Sequence, residues 1–368
     1  MSIVHGANIF EISTKLKIEK NNILDFSSNI NPFGGSLKAK RVLKKNIDMV
    51  SLYPDVEYKK LKDAISLYAE CNKENIILGS GATELISTYI STIKPRSAIL
   101  LSPVYSEYEE ELEKIECKIH KFYYKKKNDF KIDIEELNSY IKEIKPELII
   151  ICNPNNPTGT TIKKSEIENI LKKYNEEMIF SCGKKGNIMI DETYIEFTDL
   201  KIYSSVDLVR TYNNIFIIRG TSKFFSTPGI RLGYGILGKS EEFEKMKNSS
   251  NLWNINICAT IMGEVMFKDV DYIEESKKKI RRNFDILRKK MKNISEIKVY
   301  DSKSNFILCE ILENKKTSEE LYKFMLKNGI IIRDASSFFK TDKNFFRVCI
   351  LGRKENLKLI NKLEEFFE

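Results

Sequence analysis

Asp191, Lys223 and Arg231 are the side chains best suited to hold or attack a ligand, and each lies at or beyond the end of an apolar run. Ile188-Met189-Ile190 delivers Asp191, followed by Glu192, Thr193 and Tyr194. Arg219-Gly220-Thr221-Ser222-Lys223-Phe224-Phe225 places hydroxyls and an amine just past a run of isoleucines, with Arg231 and Gly233 further on. Ile76-Ile77-Leu78-Gly79-Ser80-Gly81-Ala82-Thr83 reads as a strand, a glycine turn and a helix start. Free backbone N–H groups and the helix dipole at such a start suit a phosphate. Cys152-Asn153-Pro154-Asn155-Asn156-Pro157-Thr158-Gly159 reads as a rigid loop whose amides can reach a ligand.

Each segment alone has a plainer explanation. The glycine turn serves as a simple strand-to-helix connection with Thr83 as cap. Asp191 serves as a surface acid or a helix cap, and the asparagine loop is ordinary turn chemistry. A lone lysine is usually solvated, but Lys223 lies between apolar strands and beside two phenylalanines. Desolvation there lowers an amine's pKa and makes it nucleophilic. Taken together, the four segments bring a phosphate cup, a carboxylate, an amide, a lysine and an arginine to one edge of one sheet. Pyridoxal 5′-phosphate (PLP) needs that set: an amine for its aldehyde, a carboxylate for its pyridine nitrogen, an amide for its O3′ and a cup for its phosphate.

The elements that must position these groups alternate. Strand candidates are Ile76–Leu78, Ala98–Leu101, Leu148–Cys152, Ile188–Ile190, Ile215–Ile218 and Gly233–Leu237. Helix-period stretches such as Thr83–Ile93 and Lys164–Tyr174 lie between several of them. This order predicts an α/β fold with a mostly parallel central sheet and helices on both faces, its ligands beyond the carboxyl ends of the strands. After about Ser240 a long charged helical stretch to Asn293 leads to shorter strands at Ile297–Tyr300, Asn305–Glu310, Gly329–Arg333 and Phe345–Ile350. A last helix places Leu357, Ile360, Leu363 and Phe367 on one face. The expected organisation is an N-terminal segment (1–50) packing with a small α+β domain (241–368), and a large ligand-binding domain (51–240).

Composition narrows the function classes. The chain has 368 residues, 42% hydrophobic and 31% charged, an ordinary globular balance. No apolar run approaches the roughly 20 residues that span a bilayer. No secretory signal is readable at the N-terminus. The seven cysteines form no CxxC pair and total an odd number, which argues against a disulfide framework or a zinc site and for a cytoplasmic setting. The net charge of +9 is spread along the chain in short clusters such as Lys125–Lys127 and Lys277–Lys279, which lie near acidic residues. A solvated surface explains it better than nucleic-acid binding, although it can draw in an anionic substrate.

In combination and order, NNPTG, the apolar-Asp-Glu-x-Tyr strand and S-K-x₇-R-x-G resemble the PLP-dependent aminotransferases of fold type I, over essentially the whole chain. The resemblance implies Lys223 as the lysine that carries the cofactor, Asn156 on O3′, Tyr194 near it, Asp191 on the pyridine nitrogen and Tyr105 stacked on the ring. It implies Ala82, Thr83, Ser222 and Arg231 around the phosphate. Tyr53, in Tyr53-Pro54-Asp55, resembles the tyrosine lent across a homodimer interface. Many relatives carry Ser or Thr where this chain has Gly220, so one hydroxyl contact to the phosphate is missing; Thr221 carries the nearest hydroxyl that could replace it.

Within the superfamily, His5-Gly6-Ala7-Asn8-Ile9 and Asp25-Phe26-Ser27-Ser28-Asn29-Ile30-Asn31-Pro32 resemble the HGGN and DFSxNINP openings of the threonine-phosphate decarboxylases of cobalamin biosynthesis. Ala7 departs from the second glycine. Histidinol-phosphate aminotransferases come second; they share the Tyr-Pro-Asp, the asparagine loop and the late arginines. The resemblance implies that His5, Gly6, Asn29 and Asn156 line the substrate pocket, with Arg333 and Arg347 holding the anionic groups of a small phosphorylated amino acid. Arginine grips carboxylate or phosphate in a two-pronged geometry that lysine lacks. For His5 an unordered terminus fits the sequence equally well. PLP-sensing transcription regulators form a further class, but they carry a DNA-binding domain for which this chain leaves no room before its cofactor motifs.

Overall fold

The computed structural model describes residues 9–182, 185–312, 316–339 and 342–368. The first strands in chain order are β1 Leu24–Asp25, β2 Ile76–Gly79, β3 Ser97–Ser102, β4 Lys118–Tyr123 and β5 Leu148–Cys152. Then come β6 Asn187–Asp191, β7 Ile215–Gly220, β8 Gly233–Leu237, β9 Ile297–Val299 and β10 Phe306–Ile311. The last are β11 Ile330–Ile331, β12 Arg333–Asp334 and β13 Phe345–Cys349. The described residues form two compact units, one within 34–155 and 161–275, the other within 9–33, 156–160 and 276–368.

The larger unit is built on a seven-stranded sheet of order β2-β8-β7-β6-β5-β3-β4. Strands β4, β3, β5, β6 and β7 are parallel, and β8 runs antiparallel to both β7 and β2. Its middle strands read LIIIC, NIMID and IFIIRG, nearly continuous apolar runs, as befits strands covered on both faces. Leu148, Ile150, Met189, Phe216 and Ile218 pack with Leu85, Ile86, Tyr89 and Ile90 of the helix Ala82–Ile93. Each such side chain contributes about 1.5–3 kcal/mol on burial. Strand β4 escapes the sequence reading because KIHKFY is largely polar and sits at the sheet edge, paired only with β3.

The smaller unit holds an antiparallel sheet of order β12-β13-β10-β9 and a parallel pair in which Leu24 faces Ile330 and Asp25 faces Ile331. The strand expected at Gly329–Arg333 is therefore two: β11 pairs with β1, and past Ile332 the chain changes partner so that β12 pairs with β13. The final helix, Arg353–Phe367, buries Leu359, Ile360, Leu363 and Phe367, whereas Leu357 is exposed.

The stretch expected to be one long helix is three: Glu241–Ser249, Ile257–Met266 and Val270–Met291. Asn256 caps the second, its side chain accepting from the Ala259 N–H at 2.9 Å. The units divide at 33/34 and 275/276 rather than near 50 and 240. Ser36 donates to Asp269 at 2.6 Å and Lys38 pairs with Asp269 and Asp271 at 2.9 Å, tying the helix Leu37–Lys45 to the larger unit. No helix among the described residues is long and apolar enough to cross a membrane, and among them no cluster of His, Cys, Asp or Glu could hold a metal ion.

Candidate functional site

In the larger unit the parallel register of β5, β6 and β7 sets Asp191 opposite Cys152 on one side and Ile218 on the other, at the carboxyl end of β6. The Asp191 carboxylate is buried. Its Oδ2 accepts from the Tyr108 hydroxyl at 2.6 Å and its Oδ1 from the Thr193 N–H at 2.8 Å. Burial pushes the Asp191 pKa up, while Thr193, Tyr108 and the charge of Lys223 pull the other way. Lys223 is half-buried, its Nζ 6.0 Å from the centroid of the Tyr194 ring. The buried Phe224 and Phe225 that follow it anchor the loop, and Tyr272 donates to the Phe224 carbonyl at 3.1 Å. The structure thus brings Asp191, Lys223 and Tyr194 together.

The helix Ala82–Ile93 starts from Gly81, not Thr83, and Gly81 has no side chain to satisfy the first amides. At φ +91° it sits so close to Arg231 that an added Cβ would meet Nη2 at 2.5 Å; a Cβ on Gly233 would meet the Ala82 nitrogen at 2.8 Å. The backbone is therefore drawn tight beneath open N–H groups, with the Arg231 guanidinium donating to the Ser80 carbonyl at 3.3 Å. This is a suitable cradle for a phosphate. Tyr105 hydrogen-bonds Thr83, and burial, with the charges of Glu107 and Asp191, pushes its phenol up to about 12. Ser222 is half-buried beside Lys223.

Thr221 does not make up for Gly220. Its N–H and its hydroxyl both donate to the Leu232 carbonyl, at 3.1 and 3.0 Å, and the side chain is fully buried. A Cβ on Gly220 would meet only Ala82, at an ordinary 3.5 Å.

Sequence reasoning missed two features of this unit. Tyr108 lies one turn past Tyr105 on the buried face of the helix Glu107–Lys114, and that spacing was the available signal. The other is a fully buried ion pair: Arg219 donates to Glu192 through Nε at 3.0 Å and Nη2 at 2.8 Å, and to Ser204 at 2.7 Å. Its signal was a charge at the end of an otherwise apolar strand.

In the smaller unit Arg333 and Arg347 are direct partners across β12 and β13, and both are buried. Arg347 donates through Nη1 to Asn156 Oδ1 and through Nη2 to the Ser27 carbonyl at 2.8 Å, with its guanidinium 5.1 Å from the Phe306 ring centroid. Arg333 donates to Ser337 at 3.0 Å; burial and the charge of Arg347 hold its pKa down to about 10. Asn29 is buried at φ +57°, its carbonyl accepting from Asn305 at 2.9 Å. Asp25 fixes the same segment by accepting from the Ser27 N–H at 2.8 Å and hydroxyl at 2.6 Å. Arg333, Arg347, Asn156 and Asn29 thus belong to one unit, while His5 and Gly6 lie outside the described residues. Tyr53, on the larger unit, is exposed with its ring 4.5 Å from that of Trp253.

Comparison with known proteins places this geometry in a family. Residues 21–363 match the model of aminotransferase class I and II. The chain is 36% identical over 370 residues to a provisionally assigned threonine-phosphate decarboxylase of Caldanaerobacter subterraneus subsp. tengcongensis, covering 99% of this chain and 94% of that protein. It is 30% identical over 369 residues to the histidinol-phosphate aminotransferase of Methanosphaera stadtmanae, covering 99% and 96%. Among solved structures it resembles the histidinol-phosphate aminotransferase of Clostridium acetobutylicum, with a TM-score of 0.85 and 35% identity over 94% of this chain and 99% of that one.

Proposed function

We propose that this chain, which belongs to the aminotransferase class I and II family of pyridoxal-phosphate enzymes, decarboxylates L-threonine O-3-phosphate to (R)-1-aminopropan-2-yl phosphate. The fold is that of fold type I, and the residues present fit the cofactor. An uncapped helix start drawn against Arg231 suits its phosphate, and a buried carboxylate suits a basic ring nitrogen. When bound, pyridoxal phosphate supplies a ring that draws electrons from the bonds at the substrate's Cα.

In this reading Lys223 holds the cofactor through its Nζ and later moves protons at the substrate's Cα. Asp191 would serve the ring nitrogen and Tyr105 the ring face, while Asn156 and Tyr194 would serve the ring hydroxyl. Ala82, Thr83, Ser222 and Arg231 hold the phosphate. Arg333 and Arg347 hold the carboxylate and phosphate of the substrate, with Asn156 and Ser27 orienting the Arg347 fork. By the same resemblance His5, Gly6 and Asn29 would serve the substrate.

The observation that carries the choice of reaction is the bond from Arg347 to the Ser27 carbonyl. It ties an anion-binding side chain to the Asp25–Pro32 segment, the stretch that resembles the decarboxylases. A relative named for that reaction, matched over 99% of this chain, supports the choice. The likeness to histidinol-phosphate aminotransferases favours a second reading, transamination of a phosphorylated amine, with the same cofactor residues. A homodimer fits the exposed apolar surface of Val50, Leu52, Tyr53, Leu252 and Trp253 on the larger unit, and Tyr53 would reach the partner's cofactor phosphate. Incubating the holoenzyme with L-threonine O-3-phosphate, without a keto acid, tests the proposal: carbon dioxide release supports it and no release refutes it.

A further inference from the structure

Asp191 is buried, yet a carboxylate that keeps a ring nitrogen protonated must stay ionised. Burial works against that by favouring the neutral acid. Two donors offset it in part, the Thr193 N–H on Oδ1 and the Tyr108 hydroxyl on Oδ2. The backbone donor is available to any residue at position 193, whereas the phenol, like the Thr193 hydroxyl that also lowers the carboxylate's pKa, is a choice of side chain. Tyr108 is fully buried, and its ring stands edge-on to Tyr105 with centroids 5.7 Å apart. The other polar group against the phenol is the Cys152 thiol, which donates to the Pro154 carbonyl at 3.3 Å. A carboxylate is a far stronger acceptor than a thiol sulfur, so the Tyr108 hydrogen is directed at Asp191. A 2.6 Å bond to a carboxylate is charge-assisted and lowers that carboxylate's affinity for a proton.

We propose that Tyr108 is a positioning residue for the cofactor chemistry: through Asp191 it biases the proton shared with the cofactor's ring nitrogen onto the nitrogen, and so sets how strongly the ring draws electrons. The inference rests on the reading that Asp191 faces that nitrogen. Two donors on the carboxylate make it the weaker base of the pair, so the proton resides on the ring. With one donor removed the carboxylate becomes the stronger base and takes a larger share.

The test uses holoenzyme reconstituted with pyridoxal phosphate carrying ¹⁵N in the ring. In Tyr108→Phe, which keeps the ring and its packing, the ¹⁵N signal moves toward that of an unprotonated pyridine. kcat falls about tenfold or more, with KM and cofactor retention little changed. Replacing Tyr108 by 3,5-difluorotyrosine, a stronger donor of the same shape, moves the signal the opposite way, and this arm stands even where the Phe variant folds poorly. An unchanged ¹⁵N signal in both variants overturns the inference. Asp191→Ala separates the two levels. A signal that shifts in Asp191→Ala but in neither Tyr108 variant sinks only the role of Tyr108; one that stays protonated in Asp191→Ala sinks the reading of Asp191 and the inference with it.

Discussion

Arg333 and Arg347 face each other as direct partners of an antiparallel ladder, both buried, so two positive charges share one small volume. Like charges opposite each other across a ladder are unfavourable, and burial together with the Arg347 charge holds the Arg333 pKa down. An anion held between or beside them relieves the repulsion, which makes the pair a natural seat for a doubly anionic substrate. Arg333→Lys and Arg347→Lys keep the charge and lose the fork. Each raises KM for L-threonine O-3-phosphate by roughly 10- to 100-fold, about 1.4–2.8 kcal/mol. Steady-state kinetics check this, and a Lys variant with wild-type KM contradicts it.

The raised pKa of Asp191 has a definite sign in stability. The folded protein keeps this proton to higher pH than the unfolded chain, whose value is near the ordinary 3.8. Above that pH the native state binds more protons, so this residue's contribution to stability declines as pH rises. For cofactor-free protein, the unfolding free energy of the wild type minus that of Asp191→Asn should fall from about pH 4 toward neutrality. Paired urea titrations measure the difference; a flat or rising difference contradicts the assignment.

What was legible in the sequence was what a single strand or turn determines. The isoleucine-rich runs of β5, β6 and β7 announce strands buried on both faces, and Asp191 and Lys223 stand out because polar groups end those runs. What depends on which segments meet was not legible. The polar edge strand β4 exists through its pairing with β3, and the break at Ile332 exists because β11 and β12 have different partners. The facing of Arg333 and Arg347 is likewise a matter of register. Tyr108 reaches Asp191 across 83 residues of sequence. Thr221 looked able to replace a missing hydroxyl, but its direction is fixed by the Leu232 carbonyl.

Removing one half of the buried Arg219–Glu192 pair should destabilise the fold strongly. Glu192→Ala leaves a guanidinium without its carboxylate in a site closed to water. A loss of about 3–5 kcal/mol in unfolding free energy is expected. Denaturant unfolding checks it, and a loss under 1 kcal/mol is incompatible with a pair this deeply buried.

Gly220→Ser should be a gain. The position has room for a Cβ and an ordinary backbone conformation, and the helix start at Ala82 is its nearest neighbour. A serine there adds the hydroxyl that many relatives direct at the cofactor phosphate. Cofactor dissociation, followed by loss of visible absorbance on dilution, should slow about tenfold. Dissociation as fast as wild type would place the side chain away from the phosphate.

Holoenzyme supplied in parallel with L-threonine O-3-phosphate alone, and with histidinol phosphate plus 2-oxoglutarate, gives the most direct test, with carbon dioxide and glutamate measured from each. One carbon dioxide per aminopropanol phosphate is expected in the first reaction, and little or no glutamate in the second. Efficient glutamate formation from histidinol phosphate, with no carbon dioxide from threonine phosphate, would contradict the proposed decarboxylation and establish the aminotransferase reading.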